Sequence, residues 1–242
     1  MTPRSASEPP LVYPALRTTA LVAAVALLGV APYVYYLTSV AFADRLRERF
    51  TEAGLAQLIR AELGSIGFVV LIASLVGSVF AKRYGLAGLG DWRSLHRARW
   101  LIVGLAPALS LATYLLFGRA IAERVPGYYP EALHWSAAKV LKGALFDEVV
   151  ARFGMMTILC GVVRRIWLAN LLQALFFTGL AVLGLSFYAV EPAASAYFLA
   201  SIAASVGIHL YLGWAFARYG LLVAMAFHLA YGLKFIVHAA LC

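Results

Sequence analysis

Phe146-Asp147-Glu148-Val149-Val150-Ala151-Arg152 sets two adjacent carboxylates and a guanidinium inside a mostly apolar run that extends from about His134 to Val163. A charged side chain at the middle of a bilayer costs at least ~2.5–3.5 kcal/mol. The run is therefore tolerated only with other spans packed around it, and the chain reads as a helical bundle organised about this segment. On a helix, Glu148 and Arg152 are four residues apart and share a face, whereas Asp147 points about 100° away. The spacing predicts that Glu148 and Arg152 neutralise each other and that Asp147 is left free to act. An ion pair that only pins helices together is the structural alternative.

Composition points the same way. The 242 residues are 63% hydrophobic and 13% charged, with a mean hydropathy of +0.85. So much apolar surface belongs to an all-α, polytopic transmembrane bundle, because backbone in the hydrocarbon region must satisfy its own hydrogen bonds. The net charge of +9 does not indicate nucleic acid, since Lys and Arg sit mostly in short segments between spans, where they orient a membrane protein. The two cysteines, Cys160 and Cys242, form neither a disulfide framework nor a metal-ligand spacing. No cofactor is expected.

In chain order, residues 1–17 read as a polar cytoplasmic tail and 18–242 as one transmembrane domain of about seven spans: 18–40, 63–81, 100–118, 134–163, 166–188, 194–217 and 221–241. Between the first two, charges alternate with Leu46, Phe50, Leu55, Leu58 and Ile59 from Phe42 to Glu62, the pattern of an interfacial amphipathic helix. A solvated connector is the other reading. Pro126-Gly127 and Glu191-Pro192 mark turns. With the N-terminus inside, ten Lys/Arg (residues 4, 17, 82, 83, 93, 97, 99, 164, 165 and 218) fall on the cytoplasmic side, against six outside (45, 47, 49, 60, 119 and 124). That bias predicts a cytoplasmic N-terminus and an external C-terminus.

A second chemical feature lies in the last two spans. His209 precedes Arg218 by nine residues and His228 follows it by ten, so an antiparallel pair carries both imidazoles at similar depth. His209 taken alone reads as a histidine hydrogen-bonded to a neighbouring backbone carbonyl. His228 reads as functional, with Tyr231 as a donor nearby and Gly232 as a gap for close approach.

Asp147-Glu148-x-x-x-Arg152, followed by Arg218-Tyr219-Gly220-Leu221-Leu222 leading into Ala226-Phe227-His228-Leu229, resembles the first and last motifs of the CAAX protease and bacteriocin-processing (Abi) family of intramembrane glutamic endopeptidases. The match runs over roughly residues 135–235. In that family the first motif is Glu-Glu-x-x-x-Arg, the second Phe-x-x-x-His and the third His-x-x-x-Asn. Here Asp147 stands for the first Glu, Phe176 and Phe177 supply the aromatics of the second motif, and Leu180 or Ala181 falls where its His would be. Gly232 stands where the third motif has Asn.

The resemblance implies an endopeptidase of the inner membrane of a bacterium, acting on a membrane-anchored peptide or protein substrate with the lipid bilayer as its setting. Asp147 would be the base that activates water, His228 the oxyanion donor or proton carrier, and Glu148 with Arg152 the orienting pair. His209 or Tyr231 would supply what the second histidine and the asparagine supply in relatives, and Phe176, Phe177, Tyr231 and Gly232 would meet the substrate. The departures at Asp147, Leu180/Ala181 and Gly232 equally suit a catalytically impaired member that binds or protects a membrane partner. A two-His, one-carboxylate metal site of Asp147, His209 and His228 has no supporting HExxH-type spacing. A transporter using the buried charges with Lys139, Lys142 and Lys234 lacks the repeated halves that such folds show.

Overall fold

The computed structural model describes residues 12–41, 43–125, 127–187 and 196–242. The first part of the expected cytoplasmic tail, Pro126 of the first turn signal and the turn at Glu191-Pro192 lie outside them. The fold is all-helical among the described residues. The chain runs through α1 (Val12–Tyr36, continued by a wider turn over Leu37–Ala41), α2 (Ala43–Arg49), α3 (Glu52–Phe80) and α4 (Trp92–Arg97). It continues as α5 (101–124), α6 (133–163), α7 (Ile166–Phe187), α8 (Ala196–Tyr219), α9 (Leu221–Tyr231) and α10 (Leu233–Leu241).

Among the described residues, six helical stretches are long and apolar enough to cross a membrane: Pro14–Ala41, Glu52–Phe80, Leu101–Gly118, Ile166–Leu183, Leu199–Tyr219 and Leu221–Leu241. The protein is an integral membrane protein. The remaining expected span, α6, carries Lys139, Lys142, Asp147, Glu148 and Arg152 and is the central helix. Its middle packs against α1, α3, α7, α8 and α9. The outer faces present Leu28, Phe68, Leu71, Leu115, Val162 and Leu183, all exposed, as a lipid-facing surface does.

Close packing around α6 rests on small residues. Gly77 of α3 lies against the Phe153 ring, and Gly154 of α6 lies against Ala73. Without a hydrophobic drive between helices in lipid, such approaches are what van der Waals association requires. Val70, Val149, Met156, Phe216 and Leu221 complete this core. Asn170 and Gln173 are buried between α7 and its neighbours, and Asn170 donates from Nδ2 to the Leu210 carbonyl of α8 at 2.8 Å.

Two boundaries differ from expectation. The amphipathic stretch 42–62 is not one interfacial helix, because it breaks after α2 and its second half is continuous with the next span. Thr51 caps α3 by accepting from the Gly54 amide at 3.2 Å, and Glu52 complements the helix dipole in the first turn. The last span also bends, at Gly232, where the Lys234 amide leaves the helical ladder and donates to Ser110 Oγ of α5 at 2.9 Å.

The turn Arg218-Tyr219-Gly220 is explained by its backbone. Gly220 has φ 98 and ψ 175, a region open essentially only to glycine. A Cβ there would come within 2.6 Å of the Gly90 backbone. The loop before α4 is bonded onto this turn, with the Leu221 amide donating to the Gly88 carbonyl at 2.9 Å and the Leu222 amide to that of Leu89 at 3.0 Å. This clamp fixes the start of α9, and with it the position of His228.

Candidate functional site

The middle of α6 is not a plain α-helix. Residues Lys142–Asp147 and Val149–Met156, on either side of Glu148, are wound with wider i→i+5 hydrogen bonding. That winding is rare and changes which residues share a face. On an α-helix of 3.6 residues per turn, Lys142 and Asp147 would stand about 140° apart. In the wider turn they meet, with Lys142 Nζ at 2.8 Å from Asp147 Oδ1 and 2.9 Å from Oδ2. Asp147 is therefore not the unpaired carboxylate that the sequence suggested. It is ion-paired, partly exposed, and set in the wall of a cavity of about 480 Å³.

Glu148 and Arg152 form the expected pair, Arg152 Nη1 lying 3.2 Å from Glu148 Oε1, and both side chains are wholly buried. They are also the middle of a longer chain. His228 Nδ1 is 2.7 Å from the same Glu148 Oε1, and Arg152 Nη2 lies 2.7 Å from His209 Nδ1 and 3.3 Å from its backbone carbonyl. The two histidines do not touch through their rings. They are joined through the ion pair, from α8 across α6 to α9.

The partners settle the tautomers. A guanidinium has only donors, so the His209 nitrogen that it meets is unprotonated, leaving Nε2 to carry the ring proton. An ionised carboxylate only accepts, so His228 Nδ1 carries a proton and, in the neutral ring, Nε2 holds the free lone pair. One histidine is held as a donor through Nε2 and the other as an acceptor through Nε2. Both rings, with Asp147, line the same cavity. His228 Nε2 lies over Gly143, where a Cβ would stand only 2.7 Å from it. A glycine one turn before the acid pair is thus what lets the imidazole sit against α6, and sequence reading passed over it.

No protein-family model, curated protein or solved structure matches this chain. The site rests on its own geometry.

Of the other residues expected at the site, Tyr231 and Gly232 line the cavity. Phe177 packs on the His209 ring at 5.9 Å between centroids. Phe176, about 100° further round α7, is 53% exposed and is not part of the cavity wall. Of the two positions where the second motif's histidine would fall, Ala181 lines the cavity and Leu180 is exposed outside it. Among the described residues, no three His, Cys, Asp or Glu side chains are grouped to hold a metal ion. The cavity also takes in Lys139, Lys142 and Lys234, which make its wall more basic than the two carboxylates of α6 suggested.

Proposed function

We propose that the chain is an intramembrane endopeptidase of the CAAX-protease and Abi type, with its N-terminus in the cytoplasm of a bacterial cell. It acts on a membrane-anchored peptide in the cavity between α6, α8 and α9. The observation that carries this reading is the 2.7 Å contact of Glu148 with His228 Nδ1. It gives a cavity-lining imidazole a fixed tautomer with its basic nitrogen free, the arrangement that general-base catalysis uses.

In the reaction, a water oxygen attacks the scissile carbonyl carbon while His228 Nε2 takes its proton. The oxyanion that forms accepts from His209 Nε2–H. The carbon–nitrogen bond then breaks as His228 returns the proton to the leaving amine. Asp147 shares the cavity and orients the water, while Glu148 and Arg152 act through the histidines as positioning residues. This moves the base from Asp147, where the motif alone put it, to His228.

A second reading has its own support. Both Asp147 oxygens lie within 2.9 Å of Lys142 Nζ, and Ala181 occupies the wall where relatives would present a histidine. These features suit a protein that binds a membrane peptide without cutting it. The experiment is cleavage of single-span peptides by the protein reconstituted in lipid nanodiscs. Hydrolysis gives two fragments whose masses add to the substrate plus one water. Cleavage lost in His228→Gln supports the enzyme, and equal cleavage by wild type and His228→Gln removes it. Peptide binding without any cleavage supports the second reading.

A further inference from the structure

We propose that the lysine-rich end of the cavity binds the phosphate head group of an anionic lipid. The inference does not rest on the hydrolytic reading and holds equally for an inert cavity.

Three ammonium groups meet there. Lys139 and Lys142 are three residues apart on α6 and both stand over the Tyr33 ring, at 6.0 Å and 5.9 Å. Lys139 and Lys234 flank the Phe235 ring, at 4.6 Å and 5.4 Å. Lys142 is neutralised by Asp147. Lys139 donates to the Tyr128 carbonyl and lies over that residue's ring. Lys234 is only 8% exposed. Its ammonium stands 3.9 Å from the Tyr231 ring centroid, with no carboxylate paired to it among the described residues.

A ring face is a weaker partner than an anion, and a buried ammonium without a counter-charge is costly. Lys234 is nevertheless held in place, since its backbone amide is bonded to Ser110 and Gly232 packs against Val140. The fold therefore holds, at the cavity wall, an ammonium without a carboxylate partner among the described residues. Such a cation is explained by a ligand that supplies the missing charge.

Charge and wall chemistry select the ligand. Lys139, Lys142 and Lys234 against the single carboxylate of Asp147 give the wall an excess of basic groups. A phosphomonoester carries about −1.5 to −2 near pH 7, whereas a carboxylate carries one charge. The wall also has an apolar part, Leu37, Phe117, Ile121, Val125 and Leu212. A free ion would leave that surface uncovered, whereas an acyl chain would cover it.

The test is native mass spectrometry of the full chain purified in detergent and titrated with phosphatidate, phosphatidylcholine, oleate or inorganic phosphate. Phosphatidate is expected to bind about tenfold more tightly than phosphatidylcholine or oleate, a difference of about 1.4 kcal/mol. Inorganic phosphate alone should bind more weakly still. Lys234→Met should abolish the preference and Lys234→Arg should keep it. Lys139→Gln should also weaken phosphatidate binding if the Met variant does not fold, and Arg218→Gln, outside the cavity, should not. Equal binding of phosphatidate and phosphatidylcholine would overturn the proposal, as would a preference unchanged by removal of either lysine. Oleate as tight as phosphatidate would show a single carboxylate to be sufficient and reject the phosphate, and inorganic phosphate as tight would reject the lipid.

Discussion

Glu148 Oε1 is shared between His228 Nδ1 at 2.7 Å and Arg152 Nη1 at 3.2 Å, so one carboxylate oxygen on α6 both neutralises a buried guanidinium and orients an imidazole on α9. Its removal has two separable effects. Glu148→Gln keeps the shape and an amide oxygen for His228 but removes the charge opposing Arg152. The variant is expected to lose thermal stability. The ring-nitrogen chemical shifts of His228 in NMR of ring-labelled protein should also change, and unchanged shifts would mean that the Glu148 carboxylate does not fix the tautomer.

Arg152→Ala tests the other half of the pair. Breaking a buried pair by removing one partner costs about 3–5 kcal/mol, because the remaining charge is left without compensation. The variant should give less monodisperse protein in detergent and a lower melting temperature. Arg152→Lys should rescue only partly, since an ammonium cannot reach Glu148 and His209 with the same planar fork. Wild-type melting in Arg152→Ala would show that the pair is solvated.

How much of this was legible beforehand depended on the local winding of the chain. Apolar runs of about twenty residues announce spans whatever their neighbours, and Glu148 and Arg152 were readable because an i,i+4 pair meets on any α-helix. Lys142 and Asp147 were not, since five residues apart they meet only where the helix widens, and nothing in Lys142-Gly143-Ala144-Leu145-Phe146-Asp147 announces that winding. The break at Thr51 was similarly hidden, because the amphipathic pattern runs across it and a single capping threonine decides which helix owns residues 52–62. Phe176 and Phe177 show the ordinary limit: adjacent residues on one helix face different ways, and only the neighbours of α7 reveal which turns inward.

The wide turn makes a prediction of its own. Lys142 and Asp147 should be energetically coupled although they stand five apart in sequence. A double-mutant cycle of Lys142→Met and Asp147→Asn is expected to give a coupling within the 0.5–3 kcal/mol range of contacting residues. The value should fall toward the low end, because both side chains retain some exposure. A coupling of zero would mean that the segment is an ordinary α-helix in the membrane.

Gly143 and Gly220 should tolerate alanine badly for different reasons. At Gly143 the added methyl would stand 2.7 Å from His228 Nε2, so Gly143→Ala should displace the imidazole and abolish cleavage while the protein still folds. At Gly220 the backbone itself is unsuited to a Cβ, and Gly220→Ala should reduce folded yield outright. Folded, active protein from both variants would contradict the close approach of α9 to α6 and the clamp at Gly90.

Thiol chemistry checks the orientation. Cys160 is buried and Cys242 exposed, so a membrane-impermeant maleimide should modify one thiol in the native protein. With an external C-terminus, Cys242 is labelled in intact cells and the Cys242→Ser variant is not. Labelling that requires permeabilised cells would place the C-terminus inside and remove one span from the expected seven.

Asp147 and Ala181 together separate an enzyme built around aspartate from a glutamate site that has lost its partner. Lengthening Asp147 to Glu moves the carboxylate by roughly 1.5 Å, and a misplacement of about 1 Å changes rates by ~10²-fold. Where the aspartate works as it stands, bridged to Lys142, Asp147→Glu lowers cleavage and Asp147→Asn nearly removes it. Where the site has decayed, the same lengthening helps only if a histidine faces it. Ala181 lines the cavity while Leu180 points away, so Ala181→His, and not Leu180→His, should raise cleavage when combined with Asp147→Glu. The product masses of a membrane-anchored peptide, followed for wild type, the two Asp147 single variants and the two double variants, distinguish these cases. Loss in Asp147→Glu together with no gain in the Ala181 double variant assigns the water-orienting role to the native aspartate. A gain confined to the Ala181 double variant assigns it to a reconstructed glutamate–histidine pair.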